Sequence, residues 1–279
     1  MNTERFSVAM CVYGKNDIKW FVEAVNSVLN QTVMPDEIVL VVDGPVPEQM
    51  ENTIQKFEQL DIFKTIRLPD NRGHGIARSV GLKGCSNELV ALMDADDICA
   101  HDRFEKQLTA FQRHPEVSVV GGQISEFITS AAESVGIRTV PLTDQEIKED
   151  LKKRCPFNQV TAMLKKADVE RAGGYLDWYC NEDYYLWNRM YLAGMKFANV
   201  SDILVNVRVG EDMYQRRGGW KYWVSEWKMQ NFMLKNRIIG LGDYVINVSK
   251  RFVVQVLLPN RLRSFVFQKF ARTQAEDKL

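Results

Sequence analysis

"ALMDADD", residues 91–97, is an apolar run that ends in Asp94, Asp96 and Asp97. Crowded carboxylates repel one another and each resists leaving water, so a buried strand does not ordinarily finish this way. With Leu89 and Val90 before it, the run has strand length, and the acids mark its carboxyl end. Two readings fit them. Where a chain turns out of a sheet, Asp94 and Asp96 can both point into one crevice and hold a hard cation such as Mg²⁺ or Mn²⁺. The same acids would also suit a helix cap followed by a solvated turn. A pair of acids alone repels phosphate, whereas a pair holding a cation attracts it.

Working outward, strand and helix signals alternate over the first 125 residues or so. Strand-like runs stand at "FSVAMCVY" (6–13), "EIVLVV" (37–42), "FKTIRL" (63–68), "LVALM" (89–93) and "VSVVGG" (117–122). Between them, Ile18, Phe21, Val22, Val25, Val28 and Leu29 fall at helical spacing behind the capping candidates Asn16 and Asp17. Met50, Ile54 and Phe57 share a helix face after Pro47. The loop "PDNRGHG" leads into a helix near 76–83, closed by Gly84, and Asp102 is placed to cap a helix carrying Phe104, Leu108 and Phe111. Such alternation predicts an α/β fold: a single Rossmann-like, mainly parallel mixed sheet flanked by helices. Ligands in such sheets bind beyond the carboxyl ends of the strands, where Asp43 and Asp94 stand. Further on, the pattern predicts a helix near 144–154, a strand at 159–165, a helix at 182–194 and two short strands within 197–209.

The last part differs in character. Trp220, Trp223, Val224 and Trp227 sit at i, i+3, i+4 and i+7, which crowds three of the six tryptophans onto one helix face. From Lys250 to Arg272 the basic residues are Lys250, Arg251, Arg261, Arg263, Lys269 and Arg272, with no acid among them. Leu262, Phe265, Val266 and Phe270 form an apolar stripe in this segment. A basic amphipathic helix of this kind suits an anionic membrane surface; it would equally pack on the domain or on another copy. We therefore divide the chain into a domain at 1–210 and a helical, basic amphipathic extension at 211–279.

The length of 279 residues suits one α/β domain plus an extension. Lys+Arg and Asp+Glu both count 36, a balance that argues against nucleic acid as a partner of the whole chain. The N-terminus enters a strand-like run without the basic and apolar regions of a signal peptide. Cys11, Cys85, Cys99, Cys155 and Cys180 form no CxxC pair, which fits reduced thiols in a cytosol.

Taken in order, several pieces resemble the family-2 glycosyltransferases of GT-A type, which use nucleotide-diphosphate sugars. They are "FSVAMCVYGKND", "AVNSVLNQTVMPDEIVLVVDGP", "NRGHGIARSVGL", "ALMDADD" and "NEDYYLWNRMYLAG". The fourth is similar to the strand ending in the family's D-x-D metal motif, and the fifth to its E-D-x-x-L-W segment. The likeness covers roughly residues 5–210 and extends to bacterial exopolysaccharide enzymes of amylovoran type. There are departures: Val42 replaces an acid, Ser79 replaces an Asn, and no late His follows Arg208.

The resemblance implies an inverting, metal-dependent transferase. It assigns Tyr13 and Asp43 to the nucleotide base or ribose, Arg78 to the diphosphate, Asp94 to the ribose or, through water, the metal, and Asp96 to the metal, Mn²⁺ or Mg²⁺. Asp183 is the expected general base, and Glu182 and Trp178 the expected acceptor contacts. Each has a plainer reading: a sheet-edge aromatic, a turn former, a surface arginine, acids favoured in a first helical turn, or a packed ring. The implied reaction moves a sugar, from a UDP-sugar above all, to a hydroxyl of a growing glycan or lipid-linked oligosaccharide in bacterial surface polysaccharide synthesis. The implied place is the cytoplasm, peripheral on the inner face of the membrane through residues 250–272. The alternatives are a non-catalytic nucleotide-sugar-binding partner subunit and, behind it, a sugar-nucleotide pyrophosphorylase.

Overall fold

The computed structural model describes residues 4–210 and 218–259. Its first part runs β1 (Phe6–Tyr13), α1 (Ile18–Leu29), β2 (Glu37–Asp43), α2 (Glu48–Phe57), β3 (Phe63–Leu68), α3 (His74–Gly84) and β4 (Leu89–Asp94). β1 lies between β2 and β4, parallel to both, and β3 extends the sheet beside β2. Next come β5 (Ile98–Cys99), α4 (Arg103–Arg113), β6 (Val117–Phe127), β7 (Ser134–Arg138) and α5 (Asp144–Leu151). A 3₁₀ turn (Gln159–Thr161) precedes β8 (Met163–Lys165), α6 (Lys166–Arg171), α7 (Glu182–Leu192) and β9 (Lys196–Arg208). Two helices follow, α8 (Trp220–Lys235) and α9 (Leu241–Phe252), and then a π-helical turn (Val253–Leu257).

The strand order is β3-β2-β1-β4-β8-β6-β9-β5, with β7 on β6. β8 runs antiparallel to both neighbours and so joins the parallel first half to the parallel pair of β6 and β9.

Side chains alternate across each strand, which gives the sheet two cores. Val8, Met10, Ile38, Leu40, Ala91 and Met93 meet Phe21, Val25, Met50, Ile54, Phe104 and Leu108 from α1, α2 and α4. On the other face Ala9, Val39, Val90 and Leu92 meet Leu82, Ile147, Leu151, Trp187 and Met190. α8 contributes Met229 and Met233 to this second core, and Ile238 and Ile239 follow it there. A buried ion pair fixes α9 to α8, Arg251 Nε to Glu226 Oε2 at 2.6 Å.

Some local expectations change. The 159–165 segment opens as a 3₁₀ turn because the Thr161 hydroxyl donates back to the Asn158 carbonyl and accepts the Gly122 N–H. In place of two short strands within 197–209 there is one long strand, β9 (Lys196–Arg208), since bulges against β6 absorb the irregularity that suggested two. Asp17 caps α1 through the Lys19 and Trp20 amides, while Asn16 accepts the Tyr13 N–H. Asp102 precedes α4 without a side-chain cap bond and pairs with Lys106 instead.

Among the described residues no helix is long and apolar enough to cross a membrane. The stripe of Leu262, Phe265, Val266 and Phe270, with its basic neighbours from Arg261 to Arg272, lies outside the described residues.

Candidate active site

Parallel strands deliver Tyr13, Asp43 and Asp94 to one end of the sheet. Tyr13 is in register with Asp43, and Cys11, two residues earlier, with Asp94. The Asp43 carboxylate accepts the backbone N–H of Arg72 at 2.6 Å and of Gly73 at 2.9 Å, and Asn71 Nδ2 donates to the Asp43 carbonyl at 3.2 Å. Asp43 thus pins the loop that opens α3. Gly44 permits this wrap: its φ is +82°, and a Cβ there would lie 2.6 Å from the Asn71 amide nitrogen. His74, at the start of α3, lies edge-on to the Tyr13 ring with centroids 6.4 Å apart.

One turn further along α3, Arg78 reaches two acids from different elements. Its Nη1 donates to Glu182 Oε1 at 2.5 Å, and its Nη2 to Asp94 Oδ1 at 3.1 Å. The Arg78 and Glu182 side chains are only 13% and 10% exposed, while Asp94 is 40% exposed. Burial opposes the charge on Arg78, but Asp94 and Glu182 outweigh it and hold the guanidinium above the usual arginine range. Burial raises the Glu182 carboxyl above its ordinary value, against the pull of Arg78 and with the push of Asp183. Gly75 lets α3 come this close, since a Cβ there would lie 2.9 Å from the Leu176 carbonyl oxygen.

The acidic loop after β4 splits by environment. Asp97 is buried, accepts the Arg208 backbone N–H at 2.8 Å, and has its carboxyl pushed up by desolvation and by Asp96 and Asp94. Arg208 also donates from Nε to the Asp96 carbonyl at 3.2 Å and from Nη2 to Glu23 at 2.6 Å. Its guanidinium lies over the rings of Trp20 and Phe127. Arg208 therefore braces the loop from a nearly buried position, whereas Asp94 and Asp96 are partly exposed.

Asp183 opens α7 beside Glu182 but faces another way. Its Oδ1 accepts the Tyr184 N–H at 2.7 Å, and its Oδ2 lies 3.8 Å from the Cys155 sulfur. Burial first, and then Asp183, push the Cys155 thiol up, which keeps it a neutral donor. Tyr175 is buried and accepts from Gln159 Nε2 at 2.6 Å. Trp178 packs against Tyr185, ring centroids 4.2 Å apart, and Tyr185 meets Phe232 edge-on. The end of the sheet thus gathers Tyr13, Asp43, Arg78, Asp94, Asp96 and Glu182, with Asp183 adjoining, while Trp178 is turned onto α7 and α8.

The family model for "Glycosyl transferase family 2" matches residues 7–171. The chain belongs to glycosyl transferase family 2.

The glycosyltransferase is 41% identical over 268 residues to an uncharacterized glycosyltransferase of Haemophilus influenzae, covering 96% of this chain and 99% of that one. It is 33% identical to the UDP-Gal:alpha-D-GlcNAc-diphosphoundecaprenol beta-1,3-galactosyltransferase of Escherichia coli, covering 97% and 98% of the two chains. It is 34% identical to the amylovoran biosynthesis glycosyltransferase AmsE of Erwinia amylovora, covering 95% and 98%. Among solved structures, S. aureus TarS 1-349 in complex with UDP-GlcNAc shares the fold, with a TM-score of 0.67 at 17% identity over 98% of this chain and 77% of that one. The mannosyltransferase PcManGT of Pyrobaculum calidifontis, in complex with GDP-Man and Mn²⁺, superposes with a TM-score of 0.61 at 15% identity, covering 94% and 73%. The glycosyltransferase thus has the GT-A fold, with a helical C-terminal addition.

The donor chemistry of this glycosyltransferase fits a hard divalent ion of a particular kind. Among the described residues no three His, Cys, Asp or Glu side chains are grouped to enclose a metal. Asp94 and Asp96 are two partly exposed carboxylates, a set that would suit an ion that keeps water and takes the rest of its shell from a phosphate. Several residues of the site went unnoticed in the sequence. Cys155, Gln159 and Tyr175 carry no local signal, because only the fold brings their segment beneath α7. In the sequence Arg208 stands out only because no late His follows it, and its grip on the acidic loop spans more than a hundred residues.

Proposed function

We propose that this glycosyltransferase moves a sugar, with inversion, from a nucleoside diphosphate sugar to a hydroxyl of a lipid-linked glycan in bacterial surface polysaccharide synthesis. UDP is the favoured nucleotide, since relatives and fold neighbours named for UDP-Gal and UDP-GlcNAc support it. The observation that carries the reading is the bridge Asp94–Arg78–Glu182, which joins the donor end of β4 to the start of α7. It sets a fixed cation between a strand-end carboxylate and the helix that carries Asp183.

In this mechanism Tyr13 and Asp43 line the place of the nucleotide base. Arg78 presents positive charge toward the diphosphate while it orients Asp94 and Glu182. Asp96, with Asp94, would hold a Mn²⁺ or Mg²⁺ ion, which when bound would neutralise charge on the departing diphosphate. Asp183 accepts the proton of the attacking acceptor hydroxyl. Its Oδ1 is held by the Tyr184 amide, and its Oδ2 lies 3.8 Å from the Cys155 sulfur, whose single proton has the Phe157 carbonyl oxygen nearer at 3.6 Å. Glu182 stands on the acceptor side beside Asp183, while Trp178, expected there too, packs on Tyr185 of α7 instead. One displacement from the far face inverts the anomeric centre and needs no covalent nucleophile. Residues 1–210 supply every group in this scheme, and the extension from 211 adds a support for α7. Its basic run at 250–272 suits the inner face of a cytoplasmic membrane, where a lipid-linked acceptor would lie.

The test is a thermal-shift and transfer series with UDP, GDP and their sugars, each with Mn²⁺, Mg²⁺ or a chelator. A ligand at a hundredfold excess over Kd stabilises the folded state by about 2.7 kcal/mol. Metal-dependent stabilisation by one nucleotide, and release of that nucleoside diphosphate when a sugar-diphosphate-lipid acceptor is added, are expected. No shift and no release with any donor would overturn the reading.

A further inference from the structure

α8 has two faces with different surroundings. The inner one, Ser225, Glu226, Met229 and Met233, is buried. The outer one carries the tryptophans: Trp220 and Trp227 are 62% and 40% exposed, and Trp223 lies between them, stacked on Trp227 with 11° between the rings. This stripe continues onto α9. Trp227 Nε1 donates to the Tyr244 hydroxyl at 3.0 Å, and Trp223 meets Phe252 edge-on. There Leu241 and Val245, four residues apart on one helix face, are 68% and 53% exposed, and Leu257 beyond α9 is 60% exposed. Large apolar side chains gathered like this on a surface mark something that covers them.

We propose that the outer face of α8 and α9 is the surface on which this protein lies on an anionic membrane, with its tryptophans at the headgroup level. Three observations select a bilayer as the occupant. Tryptophan and tyrosine are the side chains enriched at the membrane–water boundary, where an apolar ring carries one polar group. Charge complements an anionic surface: Lys221 and Lys228, seven residues apart, are exposed on one flank of the stripe. Of the acids on α8 and α9, Glu226 is paired with Arg251 inside, which leaves Asp243, and the sequence from Lys250 to Arg272 is basic and free of acid. No described helix is of a length and apolarity to cross, so this surface would lie on the bilayer rather than span it.

The same helix touches the candidate active site. The Ser225 hydroxyl donates to the Tyr179 carbonyl at 2.6 Å and accepts from Asn181 Nδ2 at 3.3 Å. The Lys221 ammonium lies 4.1 Å from the Tyr179 ring centroid. Tyr179 and Asn181 lead directly into Glu182 and Asp183. A helix with side chains is about 10–12 Å across. A bilayer on the outer face of α8 therefore lies within about two helix diameters of the proposed base, within reach of a sugar on a lipid diphosphate. The proposal rests on the lipid-linked acceptor reading and names the surface that presents that acceptor.

The experiment uses the full chain and sucrose-loaded vesicles of phosphatidylcholine, with and without phosphatidylglycerol. The unaltered protein is expected to sediment with the anionic vesicles, with a blue shift in tryptophan emission and weaker binding as salt is raised. The double variant Trp220→Ser/Trp227→Ser should lose at least about tenfold in partitioning, from the lost apolar area. Lys221→Gln/Lys228→Gln should lose binding to the anionic vesicles more than to the neutral ones. Transfer to a short-chain, water-soluble sugar-diphosphate-alkyl acceptor separates this proposal from the functional one. Equal turnover of that acceptor by parent and tryptophan variant, with a selective loss on vesicle-borne acceptor, supports the surface. Equal vesicle binding by both proteins would overturn it, as would a dimer in solution that the tryptophan variant dissolves, since the face would then join two copies. Failure of the parent on the soluble acceptor and every donor would instead remove the transferase reading while leaving the vesicle result to stand.

Discussion

Arg78→Met tests the centre of the site most sharply. The substitution keeps an unbranched side chain but removes the charge between Asp94 and Glu182. The Glu182 pair is nearly buried, at 13% and 10% exposure, and removing one partner of such a pair costs about 3–5 kcal/mol. The Asp94 pair is 40% exposed on the acid side, so solvent screening limits its share to about 1 kcal/mol or less. We expect a loss of about 3 kcal/mol at pH 8. The loss carries a pH signature. Burial already raises the Glu182 carboxyl above 4.5, and Arg78 is the main influence holding it down. Without Arg78 it rises further, so the folded state retains a proton that the unfolded chain has released. Stability of the variant then falls as pH rises from about 4.5 through the raised folded value, because the folded state binds the extra proton. As pH falls toward 4.5 and below it, the unfolded Glu182 takes up its proton as well, and the deficit relative to the parent shrinks. Urea denaturation of both proteins between pH 5 and pH 8 measures this. A deficit below about 1 kcal/mol, or one that does not change with pH, would refute the view that Arg78 neutralises a buried carboxylate.

Three further outcomes follow from the proposed roles. Asp183→Asn should lower turnover by about 10²–10⁴-fold while nucleotide affinity, read by calorimetry, stays near that of the parent; comparable turnover would remove Asp183 as the base. Asp96→Asn should abolish the difference in donor affinity with and without Mn²⁺, and an unchanged difference would exclude Asp96 as a ligand. Gly75→Ala places a methyl 2.9 Å from the Leu176 carbonyl oxygen, so α3 and the 176–182 segment must part. It should destabilise the fold by about 1–3 kcal/mol and weaken the Arg78–Glu182 contact. A melting temperature equal to that of the parent would show that the segment yields freely.

Most strands and helices were legible because their period is local. β3 begins and ends at the residues its run suggested, and α1 starts at the cap that Asp17 offers. Legibility failed where a partner decides the outcome. The long β9 exists because bulged pairing with β6 carries it past Ser201 and Asp202. The two residues of β5 and the short β7 are strands by virtue of their neighbours, with too few side chains to show a period.

The chain's order of residues determined by itself that a mainly parallel α/β sheet would carry acids at the carboxyl ends of its strands, since apolar periodicity and strand ends are properties of neighbouring residues. Which acid is held by what was decided by the tertiary structure. Glu182 and Asp183 adjoin in the chain, yet one turns to Arg78 and the other to Cys155. Asp96 and Asp97 adjoin as well, yet one is partly exposed and the other buried against Arg208. Charge and burial depend on contacts between segments far apart in sequence, and those contacts exist only once the two cores have closed.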